Sequence, residues 1–167
     1  MYLSALLPTA LGIFTLTVDE VGLCDLSFPE ESVPAVVSAT RVDIAAHPLL
    51  DEAGRQLLAY LDGTLQHFDV PLSIHGTPFQ RQVWQQLQAI PYGQTRTYGE
   101  LAAQVGGRHK ARAAGGAAHA NPLAIVIPCH RLIGASGNLT GFGGGLAMKQ
   151  ALLELEGCTI HNMKKVT

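Results

Sequence analysis

Two capping boxes, Thr77-Pro78-Phe79-Gln80 and Thr97-Tyr98-Gly99-Glu100, constrain this chain more than any other feature. In each, a threonine hydroxyl can accept from the amide three residues on. The Gln or Glu side chain can then reach back to the threonine amide, so two helix starts are specified by side-chain chemistry. Pro78 adds a preset φ at the first helical position. Phe79, Val83, Trp84, Leu87 and Ile90 recur at helical spacing, and Pro91-Tyr92-Gly93 ends the run. The second box opens a short helix with Leu101, Ala102 and Val105 on one face, stopped by Gly106. After the turn Gly107-Arg108-His109, a small-residue helix is expected from Lys110 to about Ala120. Two short helices joined by a glycine-containing turn match a helix-turn-helix. Lys110 and Arg112 lie at the end of the second helix that faces DNA in that motif, and its Ala and Gly residues permit close approach to a groove or to another helix.

The first half has a different texture. Phe14, Leu16 and Val18 alternate with Thr15 and Thr17, Asp19 to Gly22 reads as a turn, and Cys24, Leu26 and Phe28 repeat the alternation. This predicts a β-hairpin with one buried face, with Cys24 a core thiol. Asp51 to Leu61 reads as a helix with Leu57, Leu58 and Leu61 inward and Gly63 as its stop. Residues 29–47 show no clear period, and their order is left open. Residues 68–75 read as a connector, and the charge changes sign there. Residues 1–75 carry ten acids and two bases, a net of −8; residues 76–167 carry nine bases and three acids, a net of +6. Either the second half meets a polyanion or the halves attract each other. The expected organisation is an α/β chain of two domains, 1–74 and 75–167.

Reactive chemistry is concentrated at Pro128-Cys129-His130-Arg131, directly after the apolar run Ile125-Val126-Ile127, which reads as a buried strand. A thiol with an ordinary pKa of about 8.5 is mostly protonated at neutral pH, and an imidazole or positive field raises its thiolate fraction. Cys129 is therefore a candidate nucleophile. The three cysteines are an odd number at wide spacing, which fits neither a disulfide framework nor a CxxC metal signature. Arg131 reads as structural and Cys158 as incidental. Gly134 to Asn138 reads as a turn and Thr140 to Gly145 as a mobile or closely approached loop. Leu146 to Glu156 reads as a last helix, with Leu152, Leu153 and Leu155 toward the core and Gly157 as its stop.

Ordered pieces from Ile90 to Gly157 resemble the O6-alkylguanine-DNA alkyltransferase family, the methylated-DNA–protein-cysteine methyltransferases. They are Ile90-Pro91-Tyr92-Gly93, Thr97 to Ala102, Ala111-Arg112-Ala113, Asn121-Pro122, Ile127 to Arg131, Ser136-Gly137, Leu139 to Gly145 and the terminal Leu-Leu-x-x-Glu-Gly. The first half resembles the family's smaller domain only loosely. The resemblance implies a small N-terminal α/β (ribonuclease H-like) domain and a C-terminal, mostly helical, winged helix-turn-helix domain. It implies DNA repair by direct reversal. Duplex DNA carrying O6-alkylguanine would be bound through its minor groove and the base flipped out. The alkyl group would pass irreversibly to Cys129, once per molecule; O4-alkylthymine is a further possible substrate. His130 would be the base, acting through water, and Glu156 would orient it. Asn121 would bridge the recognition helix to the active-site strand. Tyr98 would donate to guanine N3 and lie beside the flipped nucleotide's phosphate. Arg112 would fill the gap in the duplex. Phe142, Gly143 and Gly144 would close over the base, with Phe142 standing where the family usually has tyrosine. Leu139, Leu132, Ala111 and Lys110 would complete the DNA and base contacts. The implied protein is a monomer, with cooperative loading on DNA left open.

Two other readings stand beside this one. A binding module of the alkyltransferase-like kind would flip the base without removing the alkyl group, but such relatives typically replace the cysteine. A cysteine hydrolase would turn over an ester or amide and leave the basic helix-turn-helix unexplained. Neither metal nor cofactor is expected, because the histidines lack ligand spacing and the cysteine-rich pattern of zinc-bearing relatives is absent. No apolar run reaches the roughly 20 residues of a membrane span. The Met1–Pro8 segment has no basic leader, so a cytoplasmic, DNA-associated protein is expected.

Overall fold

A computed structural model describes residues 1–29 and 38–167, so residues 30–37 of the patternless stretch lie outside the described residues. The described chain divides into two compact units: residues 1–75 with 122–124, and residues 76–121 with 125–167.

In the first unit, β1 (Leu3–Thr9), β2 (Gly12–Val18), β3 (Leu23–Ser27) and β4 (Thr40–Arg41) form one sheet in the order β3-β2-β1-β4. β1–β2 and β2–β3 are antiparallel and β1–β4 is parallel. The anticipated hairpin is β2–β3, and its turn is closed by the Asp19 amide on the Gly22 carbonyl at 3.0 Å. β1 is an addition to the expected elements. Its alternation is blurred because Ser4 and Ala5 are both buried and Pro8 occupies the ladder.

The helix α1 (Pro48–Leu61) covers the sheet's apolar face, burying Leu50, Ala53, Leu57 and Tyr60. It begins three residues before the expected Asp51, because the His47 side chain caps it and Pro48 sits in its first turn. Leu58 is exposed rather than inward, and the stripe runs through Leu57 and Tyr60 instead. The segment Pro122–Ala124 extends the sheet beyond β3. The Leu26 amide donates to the Pro122 carbonyl at 2.9 Å, and the Ala124 amide donates to the Leu26 carbonyl at 3.1 Å. This excursion, far along the chain, leaves no mark in the sequence pattern.

In the second unit, both capping boxes form as read, opening α2 (Pro78–Gln88) and α3 (Tyr98–Gln104). A 3-10 turn at Arg108–Lys110 leads into α4 (Ala111–His119), which packs on α2 and α3. Its small residues have a packing role: Ala114, Ala117 and Ala118 are buried, and the Trp84 indole donates to the Ala117 carbonyl at 2.8 Å. A side chain at Gly115 would meet the Tyr98 ring at 3.4 Å.

The run Ile125–Ile127 is buried at both ends but is not a strand. Ile125 turns with φ at +70°, a strained region for a β-branched residue, and the chain then enters a 3-10 turn at Cys129–Arg131. β6 (Leu132–Ile133) follows and pairs in parallel with β5 (Arg96–Thr97). α5 (Leu146–Leu155) packs against the 3-10 turn at Cys129–Arg131. Leu152 and Leu153 are fully buried and Leu155 half-buried. The hairpin of β7 (Ile160–His161) and β8 (Lys164–Lys165) completes the unit; its turn places Asn162 and Met163 at positive φ. Cys158 is not incidental: it is buried in a cluster with Ile133, Leu139 and Leu153.

Candidate active site

Cys129 lies at a sharp corner. Pro128, with φ −81° and ψ 64°, is the centre of an inverse γ-turn in which the Cys129 amide donates to the Ile127 carbonyl at 2.8 Å. Asn121, just past α4, locks the corner from outside. Its Nδ2 donates to the same Ile127 carbonyl at 2.7 Å and to Cys129 Sγ at 3.3 Å. The thiol is half-exposed, whereas its neighbour His130 is fully buried.

Behind the thiol lies a closed electrostatic cluster. His130 Nε2 is 2.9 Å from Glu156 Oε1. Glu156, the C-cap of α5, also accepts from Arg131 Nη2 at 2.7 Å, from Arg131 Nε at 2.9 Å and from the Gly93 amide at 3.2 Å. Arg131 Nη1 donates to the Ile90 carbonyl at 2.7 Å, so this arginine ties the chain past α2 to the end of α5. A buried ion pair is tolerable only when its hydrogen-bonding capacity is filled, and here each partner has several bonds. Burial pushes His130 below its ordinary range, although the Glu156 hydrogen bond pulls the other way. The imidazole is therefore neutral at pH 7. A carboxylate accepts only, so Nε2 carries the hydrogen and Nδ1 is the basic nitrogen.

The other buried cation here is Lys149. It is fully buried on α5, and burial pulls its pKa down to about 8, with the charge of Cys129 acting in the opposite direction. Nζ donates to the Thr140 carbonyl at 2.9 Å and lies 5.8 Å from the Phe142 ring centroid. It thus holds the glycine-rich loop from below while placing a cation near the thiol. Lys149 is absent from the residues expected at the site, yet a signal for it exists: Lys149, Leu152, Leu153 and Glu156 recur on one helical face.

The remaining candidates fall into two groups. Tyr98, half-exposed, begins α3, while Arg112 and Lys110 are exposed at the turn into α4 and Ala111 is half-buried. Lys110 Nζ lies 5.7 Å from the Phe79 ring centroid. Phe142 and Gly144 are half-exposed and Gly143 is exposed. Leu132 and Leu139, expected among the base and DNA contacts, are 1% and 4% exposed. Their side chains pack into the core under the site. Among the described residues no group of three His, Cys, Asp or Glu side chains is placed to hold a metal ion, and no helix is long and apolar enough to cross a membrane.

Comparison with known proteins gives this geometry a context. Residues 78–158 match the DNA-binding domain of 6-O-methylguanine DNA methyltransferase, and residues 2–74 match its ribonuclease-like domain. A methylated-DNA–protein-cysteine methyltransferase of Methanosarcina acetivorans is 45% identical over 153 residues, covering 92% of this chain and 97% of that protein. One of Mycolicibacterium paratuberculosis is 60% identical over 104 residues, covering 62% of this chain and 63% of that one. The crystal structure of Mycobacterium tuberculosis O6-methylguanine methyltransferase superposes with a TM-score of 0.84 at 44% identity, covering 93% of each chain. A structure of the M. tuberculosis protein in complex with DNA superposes at 0.83, again at 44% identity, covering 92% of this chain and 91% of that one.

Proposed function

Because the chain belongs to the 6-O-methylguanine DNA methyltransferase family, we propose that Cys129 is the residue that accepts the alkyl group, irreversibly and once per molecule. The chain is a transferase of direct-reversal DNA repair. The observation that carries the assignment of Cys129 is its setting: a half-exposed thiol fixed by Asn121, backed by the buried His130–Glu156–Arg131 cluster.

DNA is the partner. The reacting atom of a stacked guanine is out of reach, so the base is extruded before chemistry. Arg112, exposed in the first turn of α4, occupies the vacated place from the minor groove, and Tyr98 contacts the displaced nucleotide. Phe142, with Gly143 and Gly144, walls the base. The thiol proton passes through water to His130 Nδ1. Sγ attacks the alkyl carbon in line; the S–C bond forms as the C–O6 bond breaks, and its electron pair departs on guanine. Tyr98 supplies a proton at N3, and the proton held by His130 replaces it through solvent. The neutral, buried imidazole accepts a proton without first losing one, and Lys149 places positive charge where thiolate develops. The product is a thioether, which water does not readily hydrolyse, so the thiol is consumed.

Incubation with a duplex containing O6-methylguanine, followed by intact mass measurement, tests this. One methyl increment, on the tryptic peptide containing Cys129, is expected. Tight binding with no increment would instead identify a base-flipping binding module. Cys129→Ser should abolish the increment and keep the binding.

A further inference from the structure

Apart from Arg81 on α2, the exposed lysines and arginines of the second unit fall at both ends of α3. Arg108, Lys110 and Arg112 are exposed past its C-terminal end. At its N-terminal end stands a second group that the chemistry above does not use. Arg96, on β5, is exposed and its guanidinium donates to the Thr95 carbonyl at 2.9 Å. Lys165, on β8, reaches across so that Nζ meets Thr95 Oγ1 at 3.1 Å. Lys164, exposed beside it, runs its alkyl stem over Gly137.

This second group stands on a fixed platform. The Lys165 amide donates to the Gly137 carbonyl at 2.9 Å, the Leu139 amide donates to the Met163 carbonyl at 2.8 Å, and Asn138 bridges Lys164. Gly137 has φ at +89°, and a side chain there would meet the Lys165 carbonyl at 3.1 Å, so the ribbon is seated on a position suited to glycine. Neither local acid is ion-paired with the group: Glu100 turns back onto the Thr97 amide, and Glu154 accepts from Gln150.

From this arrangement the geometry points to a second phosphate-binding surface, formed by Arg96, Lys164 and Lys165, that grips the DNA backbone beyond the damaged nucleotide. The inference rests on the DNA-repair reading above. α3 has seven residues, so its ends lie about 10 Å apart, the axial length of about three phosphates on one strand. The first helix of a helix-turn-helix crosses the backbone, so cations at both its ends lie within reach of phosphates on either side of the crossing. This surface reads no sequence; it sets register and affinity.

The test is the salt dependence of binding to an undamaged duplex, measured for the full chain and for Lys164→Ala/Lys165→Ala. The slope of log K against log salt should fall by about two, close to one for each phosphate that is no longer neutralised. Lys164→Arg/Lys165→Arg should restore it. Alkyl transfer from free O6-methylguanosine, which needs no backbone contact, should be unchanged in both variants. An unchanged slope overturns the inference, as does a lowered slope that arginine does not restore. Failure of the wild-type chain to become alkylated by any substrate would instead count against the underlying function, so the two failures are distinguishable.

Discussion

Lys149→Met removes a buried cation from under the glycine-rich loop, and its effects on stability and on chemistry should have opposite signs. The folded state holds Lys149 at a pKa of about 8 against an ordinary 10.5. At about 1.4 kcal/mol per pKa unit, keeping that proton at neutral pH costs roughly 3 kcal/mol. Methionine fills similar volume without a charge. The lost hydrogen bond returns part of the gain, but Thr140 is exposed and water can take its carbonyl. The variant should therefore be about 1–3 kcal/mol more stable than the wild type at pH 7, read from urea midpoints at constant m. The gap has a defined pH dependence. The unfolded lysine holds its proton to higher pH than the folded one, so wild-type stability recovers as pH rises from about 8 to 10.5. The two curves should converge by pH 10.5. Alkyl transfer should slow by about tenfold or more, since the thiolate loses a neighbouring cation and the loop loses its anchor. A variant less stable than the wild type at pH 7, or a gap that does not close at high pH, would refute the reasoning.

Three further outcomes follow from the same cluster and its surroundings. Glu156→Gln strands Arg131 in the interior and should cost about 3–5 kcal/mol in denaturant unfolding, with transfer also slowed. Cys24, pushed up to about 12 by burial and the nearby Asp19 and Asp25 charges, and Cys158, raised by burial, should resist iodoacetamide at pH 8 while Cys129 reacts; peptide mapping that finds Cys24 labelled as fast as Cys129 would contradict this. Because burial lowers the His130 pKa, native stability should fall as pH drops below the ordinary value of about 6.5, where the unfolded histidine protonates first. A midpoint that is flat from pH 6.5 to 5 would be inconsistent with a neutral buried imidazole.

What is legible in the sequence is what local chemistry writes down. The capping boxes at Thr77 and Thr97 predict two helix starts because each depends only on residues three apart. The His130–Glu156 pairing is legible only through the family resemblance, since the two lie 26 residues apart. Ile125–Ile127 fails as a strand because an apolar run records burial, not direction, and the φ of Ile125 is imposed by the turn it makes. The start of α1 escapes the sequence pattern because histidine is an uncommon cap. Lys149 escapes it because lysine reads as surface by default, although its helical spacing places it with Leu152 and Leu153. Leu132 and Leu139 show the complementary case: they are near the site in sequence, yet their side chains are buried, because nearness along the chain does not bring exposure.

The excursion of Pro122–Ala124 into the first unit has a practical consequence for anyone who would cut this protein in two. A fragment beginning at Gly76 would carry those residues away from the strand they pair with. The other fragment, ending at His75, would leave the Leu26 amide and carbonyl on an unprotected sheet edge. Open edges recruit other edges, so this piece is the one expected to self-associate. The units are distinct in space but not severable by one break in the chain. Swapping the N-terminal half for that of a relative requires exchanging a short stretch beside Asn121, next to the reactive thiol.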